Sequence, residues 1–244
     1  MAIDINCDLG EYNGENRDMG WTEQLMKYIS SCNIACGFHA GDPTTLAETI
    51  QLAIKYKVVV GAHPSYPDIK NFGRTSMDLP TEELQATMVY QISALKGMAE
   101  FYETSLTHVK AHGALYHDLN ERKDYAEAYF EVIKSIDPNL VVYGPPGDIF
   151  EHQAAKSGIS FIPEGFADRV YINAHKLQSR SVKGAVIIDP EKAFEQVKTM
   201  VYERKVPCKN GKTRPLEVKT ICVHGDNPAA IMILQRIRKL LYGN

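Results

Sequence analysis

Short β-branched or aliphatic runs alternate with longer amphipathic stretches along the whole chain, and no other feature of the sequence limits its fold so strongly. Seven runs read as strands: Ile3 to Cys7, Cys32 to Cys36, Val58 to Ala62, Thr107 to Ala111, Leu140 to Tyr143, Ser160 to Pro163 and Thr220 to Val223. Between them the hydrophobic period changes to that of a helix. After Asp42-Pro43, an N-cap followed by proline at the first helical position, Leu46, Ile50, Ala53 and Ile54 fall on one stripe. Leu84, Met88, Ile92, Leu95, Ala99 and Tyr102 keep the same spacing, as do Ala230, Ile233, Leu234, Ile237, Leu240 and Leu241. Such stripes are core faces.

Strand and helix in alternation, with no Pro/Gly/Ser-rich linker, imply parallel strands joined by right-handed crossovers in one domain over residues 1–244. An open nucleotide-binding sheet would show a glycine fingerprint after its first strand. Here that strand leads into Asp8-Leu9-Gly10-Glu11-Tyr12-Asn13-Gly14, which lacks it. A seven-stranded α/β barrel is therefore predicted. With 244 residues, 44% of them hydrophobic, the core is large enough to need neither disulfides nor a structural metal.

The charges exclude some functions. Twenty-seven Lys and Arg against 30 Asp and Glu leave a net charge of −3, which does not suit counterion release from nucleic acid. There is no basic, apolar leader and no apolar run approaching the ~18 residues of a membrane span, so a cytoplasmic protein is expected. The cysteines Cys7, Cys32, Cys36, Cys208 and Cys222 are odd in number and lie mostly in strand-like runs, which suits buried thiols in a reducing compartment. Gly211-Lys212-Thr213 imitates the end of a P-loop, but the glycine required five residues earlier is Val206, and Pro207 and Pro215 mark a turn or hairpin. The basic residues around it, Arg204, Lys205, Lys209, Lys212, Arg214 and Lys219, read as a solvated face or, more sharply, as a docking patch for another protein chain.

In a parallel barrel the reacting groups collect where strands end. Asp8 and Glu11 follow the first strand, Asn33, His39 and Asp42 accompany the second, and His63 follows the third, with Arg74 in the loop beyond it. Lys110 and His112 close the fourth; Glu164, Asp168 and Arg169 follow the sixth; His224 and Asp226 follow the seventh. Asp42 reads equally as a helix cap, and Asp226 before Asn227-Pro228 takes the same discount. His108 shares a face with Lys110 and His112 but lies lower, as a core histidine, and His117, His152 and His175 fall outside the cluster. Gly37, Gly41, Gly61, Gly113, Gly165 and Gly225 flank these groups, which suits tight loops around a compact polar substrate with a developing oxyanion.

Six ordered motifs resemble one family. Asp8-Leu9-Gly10-Glu11, the Asn33 to Pro43 run, Gly61 to Asp68 with Phe72-Gly73-Arg74, Lys110 to Tyr116, Glu164 to Arg169 and Val223 to Asp226 are together similar to the LamB/YcsF family over essentially the whole chain. The resemblance implies a distorted seven-stranded TIM-like barrel of the glycoside hydrolase/deacetylase type. It also implies ATP-dependent opening of 5-oxoproline (pyroglutamate) to glutamate in a complex with 5-oxoprolinase subunits B and C. Without a P-loop in this chain, ATP as cosubstrate is expected to be held largely by those partners.

On that reading Asp8 or Glu11 is the general base for water, His39 and His112 shuttle protons beside His63, and Lys110 neutralises oxyanion or phosphate charge. Arg169 or Arg74 holds the substrate carboxylate, with Asn33, Asp42, Glu164 and His224 around the substrate. Two other readings stay open. Asp8, His39 and His63 could form a divalent metal site, making the protein a metal-dependent deacetylase or deformylase acting alone. Otherwise the chain only binds or channels the lactam, without catalysis.

Overall fold

The first six strands lie where the alternation predicts them. In the computed structural model, which describes residues 3–14 and 17–243, they are β1 (Asp4–Leu9), β2 (Ser31–Ala35), β3 (Val59–His63), β4 (Leu106–Lys110), β5 (Val141–Gly144) and β6 (Ser160–Phe166). Two short antiparallel hairpins follow, β7 (Tyr171–Asn173) with β8 (Lys176–Leu177) and β9 (Lys205–Pro207) with β10 (Thr213–Pro215). The last barrel strand, also at its predicted place, is β11 (Thr220–His224). It pairs with both β1 and β6 and closes a seven-stranded parallel barrel in the order β1-β11-β6-β5-β4-β3-β2. Around it run α1 (Met19–Met26), α2 (Pro43–Tyr56), α3 (Thr81–Phe101), α4 (Gly113–Glu121), α5 (Lys123–Ile136), α6 (Asp148–Ser157), α7 (Pro190–Lys198) and α8 (Ala230–Tyr242).

The hydrophobic core lies between barrel and helices. Ile5, Cys7 and Leu9 of β1, Ile34 of β2, Val60 and Ala62 of β3, Val109 of β4, and Ile221 and Val223 of β11 are all buried in it. They meet the stripes of α2 (Ile50, Ala53), α3 (Leu84, Met88, Ile92, Leu95) and α8 (Ile233, Leu234, Ile237). Each large aliphatic group so buried contributes roughly 1.5–3 kcal/mol. All five cysteines are free and buried, as the odd count and strand positions suggest.

Several strands run further than their apolar runs predict. Asp8 lies within β1, Glu164 within β6, and His63 and His224 are the last residues of their strands, whereas β4 ends at Lys110, one residue before the predicted Ala111. The reason lies inside the barrel, where alternate residues Asn6 and Asp8, His108 and Lys110, and Cys222 take up the strand face opposite the apolar core. That interior is a buried polar network rather than layers of branched aliphatics.

Close packing there demands glycine at Gly61, where an added Cβ would stand 2.0 Å from His108 Nε2. Gly113 needs its freedom for a different reason: its φ of 55° is left-handed, and it starts α4 directly behind β4. Gly211-Lys212-Thr213 belongs to the β9–β10 hairpin, with Thr213 opening β10. An antiparallel hairpin cannot serve as the strand-loop-helix of a P-loop. The basic residues around it are exposed. No helix among the described residues is long and apolar enough to cross a membrane.

Candidate active site

Register decides which polar groups meet. Asp8 pairs across β1 with His224 on one side and Asn33 on the other, so three polar side chains share one level near the carboxyl ends of the strands. Below them Lys110 fills the barrel centre. Its Nζ lies 2.9 Å from Asp8 Oδ1, 2.9 Å from Glu164 Oε1, 3.3 Å from Asn6 Oδ1 and 3.1 Å from Cys222 Sγ. Burial alone would favour a neutral lysine, but the Asp8 and Glu164 carboxylates hold its pKa well above the usual lysine range. Burial likewise pushes Asp8 up, and the His63 and Lys110 charges overcome it, leaving the carboxyl well below its ordinary range.

Asn33 supports this centre from beneath, donating to Asp8 Oδ1 (2.7 Å) and to Asn6 Oδ1 (2.8 Å). Its own Oδ1 accepts from His108 Nε2 at 2.8 Å. His108 stacks on Tyr143 with ring centroids 4.1 Å apart, and burial brings its pKa down to about 3, so it remains a neutral part of the floor.

Above Asp8, loops bring Glu11, His39 and His112 onto His63. Glu11 Oε1 is 3.1 Å from His39 Nε2, 3.1 Å from His112 Nδ1 and 3.7 Å from His63 Nε2, and the two ring nitrogens of His63 and His112 are 3.0 Å apart. His39 stacks on His112 at 3.7 Å between centroids. Burial pushes His39 down to about 3 and lowers His112, whereas at His63 the Asp8 charge outweighs burial and raises it. On the other side of Asp8, His224 Nδ1 donates to Asp168 Oδ1 at 2.7 Å, and Asn227 donates to Asp168 Oδ2 at 3.0 Å. His224 Nε2 then faces Asp8 Oδ2 at 3.9 Å.

These groups open into one cavity of about 710 Å³. Of the residues predicted from sequence, Asp8, Glu11, His63, Arg74, Lys110, His112, Glu164, Arg169 and His224 line it. Three do not. His39 has no exposed side-chain surface and stands behind Glu11, so it cannot reach a substrate directly. Asn33 lies below the cavity as a support for Asp8. Asp42 is a helix cap: it accepts from Thr44 N–H and Thr45 N–H at 2.9 and 3.0 Å and starts α2.

The cavity wall holds residues that motif reading does not find. The β7–β8 hairpin supplies Ile172, His175 and Lys176, and the segment after it Arg180. Arg180 and Arg74 both bind Asp226 Oδ2 at 2.9 Å, which ties three loops together across the mouth. His117, read as lying outside the cluster, lines the cavity because α4 begins immediately after β4, and His175 does so through the hairpin. The hairpin's strands are too short for any periodic signal. Asp168, expected from sequence among the groups after the sixth strand but given no role there, is shown by its bond to His224 to be that histidine's partner.

Among the described residues, two groups of donor atoms lie close enough to hold a metal ion. One is Asp8, Cys222 and His224, but Lys110 already contacts Asp8 and Cys222, so its ammonium fills that position. The other is Glu11, His39, His63 and His112, with one atom from each within 4.8 Å of the rest. The set expected from sequence, Asp8 with His39 and His63, is not the one brought together, because Asp8 is drawn down to Lys110 and Asn33.

A closed parallel barrel whose strand ends carry a lysine–carboxylate centre, a carboxylate–histidine cluster and an Asp–His pair around one cavity defines an α/β-barrel enzyme. The chain belongs to the LamB/YcsF family, whose sequence model matches residues 3–244. Among similar proteins, the A subunit of 5-oxoprolinase from Staphylococcus aureus (strain bovine RF122 / ET3-1) is 42% identical over 241 residues, 99% of this chain and 96% of that protein. The corresponding A subunit from Staphylococcus aureus strain Newman is 41% identical with the same coverage. The crystal structure of a lactam utilization protein from Thermus thermophilus matches with a TM-score of 0.91 and 37% identity, covering 100% of this chain and 97% of that one.

Proposed function

We propose that this protein opens the lactam of 5-oxo-L-proline to L-glutamate, coupled to ATP hydrolysis, in the cytoplasm and in complex with 5-oxoprolinase subunits B and C. Whole-chain identity of 42% to the A subunit of a 5-oxoprolinase supports the reaction class. The single observation that carries the substrate is the polar wall of the cavity, where buried Arg169 Nε has no partner among the described residues and the Tyr116 hydroxyl stands beside the Glu164 carboxylate. Unpaired buried polar atoms cost free energy unless a ligand satisfies them. A small lactam acid offers the complementary groups. Its ring N–H donates to Glu164 Oε2, its carboxylate accepts from Arg169, and its carbonyl oxygen accepts from Tyr116 or faces Lys110.

Water adds to the carbonyl carbon, the ring C–N bond breaks, and the nitrogen leaves as the amine of glutamate after taking a proton. His224 is the better general base, since Asp168 fixes its Nδ1–H and turns Nε2 toward Asp8 and the cavity. Asp8 and Glu11, both held well below the usual carboxylate range, stay ionised and are weak bases. Lys110 places a fixed positive charge where oxyanion or phosphate charge develops. A lactam resists hydrolysis; transfer of the ATP γ-phosphoryl group to its oxygen, with ADP leaving, makes the carbon attackable, and the acyl phosphate left after C–N cleavage is hydrolysed by a second water to glutamate and inorganic phosphate. With Gly211 to Thr213 in a hairpin, contacts to the nucleotide are assigned largely to the partner subunits.

The test is ATP-dependent release of glutamate from 5-oxoproline by this chain alone, by the partners alone and by the mixture. Turnover confined to the mixture is the expected result. Undiminished turnover by the partners alone would overturn a catalytic role for this chain, and hydrolysis by this chain alone that a chelator removes and a metal ion restores would favour a metal-dependent deacetylase or deformylase.

A further inference from the structure

We propose that Glu11, His63 and His112 bind one divalent transition-metal ion, with Zn²⁺ as its type, in the wall of the cavity. Backbone carbonyls fix where the ring protons must be. His63 Nδ1 lies 2.8 Å from the Lys110 carbonyl oxygen, and His112 Nε2 lies 2.8 Å from the Phe72 carbonyl oxygen. A carbonyl only accepts, so each ring carries its proton on that outer nitrogen. In the neutral imidazoles the inner nitrogens, His63 Nε2 and His112 Nδ1, are then lone pairs.

Those two lone pairs stand 3.0 Å apart, and Glu11 Oε1, also an acceptor, is 3.1 Å from one and 3.7 Å from the other. Three acceptors thus converge with no proton of their own to share, in a buried place where such an arrangement is costly. A cation at their centre resolves it. Donors held at 2.0–2.2 Å around a tetrahedral ion stand about 3.4 Å from each other. The observed separations bracket that value.

The surroundings match those of a metal site. Outer ring nitrogens tied to backbone carbonyls orient ligating histidines and make them more basic. His39 Nε2–H donates to Glu11 Oε1 at 3.1 Å and orients the carboxylate in turn; in that tautomer Nδ1 carries no proton, consistent with its having no partner among the described residues. Glu11, His63 and His112 line the cavity whereas His39 does not, so three ligands face a fourth position open to substrate or water. Two imidazoles and one carboxylate suit Zn²⁺ and its first-row neighbours better than Mg²⁺ or Ca²⁺. The competing occupant is a proton, held on His63 beside Asp8 at 3.4 Å.

Metal binding by the full chain, without substrate or partners, distinguishes the two. After dialysis against a chelator, calorimetric titration with Zn²⁺ and visible absorption with Co²⁺ are expected to show one equivalent bound, with Co²⁺ bands of a four- or five-coordinate site. Glu11→Gln, His63→Gln and His112→Gln are each expected to weaken binding by ~100-fold or more, while exposed His152→Gln binds as wild type. Glu11→Gln keeps the side-chain shape, and circular dichroism of each metal-free variant checks that it folds. Absence of a stoichiometric site in the wild type, or wild-type affinity in folded Glu11 and His112 variants, would overturn the proposal in favour of the proton. Because the readout contains no substrate, either result leaves the lactam reading to its own assay.

Discussion

Lys110 Nζ stands 2.9 Å from Asp8 Oδ1 inside the barrel, with 2% of the lysine side chain and 4% of the aspartate side chain exposed. Breaking such a pair from one side strands the other charge and costs about 3–5 kcal/mol. Lys110→Met leaves both Asp8 and Glu164 uncompensated, so it should lose fold stability together with turnover. Asp8→Asn keeps the shape and leaves Glu164 as counter-ion to Lys110. It should lower glutamate release by about 10²–10³-fold with a smaller loss of stability. Urea denaturation alongside the glutamate assay checks both; a fully stable, active Lys110→Met protein would refute the assignment.

Gly61 faces the barrel interior, where an added Cβ meets the His108 ring. His108 cannot retreat without releasing Asn33 Oδ1, and Asn33 in turn holds Asp8. Gly61→Ala should therefore cost about 1–3 kcal/mol in urea denaturation and depress turnover, although residue 61 touches no substrate.

Arg169 donates from Nη2 to the Gln178 carbonyl at 2.7 Å, while its Nε has no partner among the described residues. Burial brings its pKa down to about 10, which still leaves it charged at neutral pH. If it holds the substrate carboxylate, Arg169→Lys loses the planar fork and should raise KM for 5-oxoproline by ~10-fold or more, about 1.4 kcal/mol, with kcat changed less. Steady-state kinetics in the reconstituted complex decides, and an unchanged KM would transfer the role to Arg74 or Arg180.

The Asp168–His224 pair makes a prediction in pH. Burial raises the Asp168 carboxyl, but the His224 charge and hydrogen bonds from His224 and Asn227 outweigh it and hold it below the ordinary 3.8. Because the folded value is the lower one, this stabilisation is complete above the unfolded value of 3.8 and is lost as pH falls through the folded value. Asp168→Asn should be about 1.5–3 kcal/mol less stable at neutral pH and should lack this part of the acid limb. Its turnover should fall by about 10²-fold or more, since the His224 ring loses its fixed orientation. Urea denaturation from pH 6 downward measures the first effect, and the glutamate assay the second.

All seven barrel strands were legible because their outward faces are apolar runs long enough to show against the helical stripes. Their ends were not, because Asp8 and Glu164 look like loop residues to any reading that assumes an apolar barrel interior. Asp42 illustrates the reverse error: the same Asp-Pro pair serves a cap and a catalytic carboxylate, and only its bonds to the Thr44 and Thr45 amides decide.

The sequence by itself determined the strand–helix alternation, the barrel, the family and the residue types gathered at the strand ends, since these depend on local periodicity and on motifs contiguous in the chain. Only the tertiary structure decided which carboxylate meets which cation. Register and loop closure draw Asp8 to Lys110, leave Glu11 to the histidines, pair Asp168 with His224 and bring Arg180 to the cavity wall. The Asp8–Lys110 contact alone joins residues more than a hundred positions apart, and pairing at that range is set by how strands align and close, which no local pattern records.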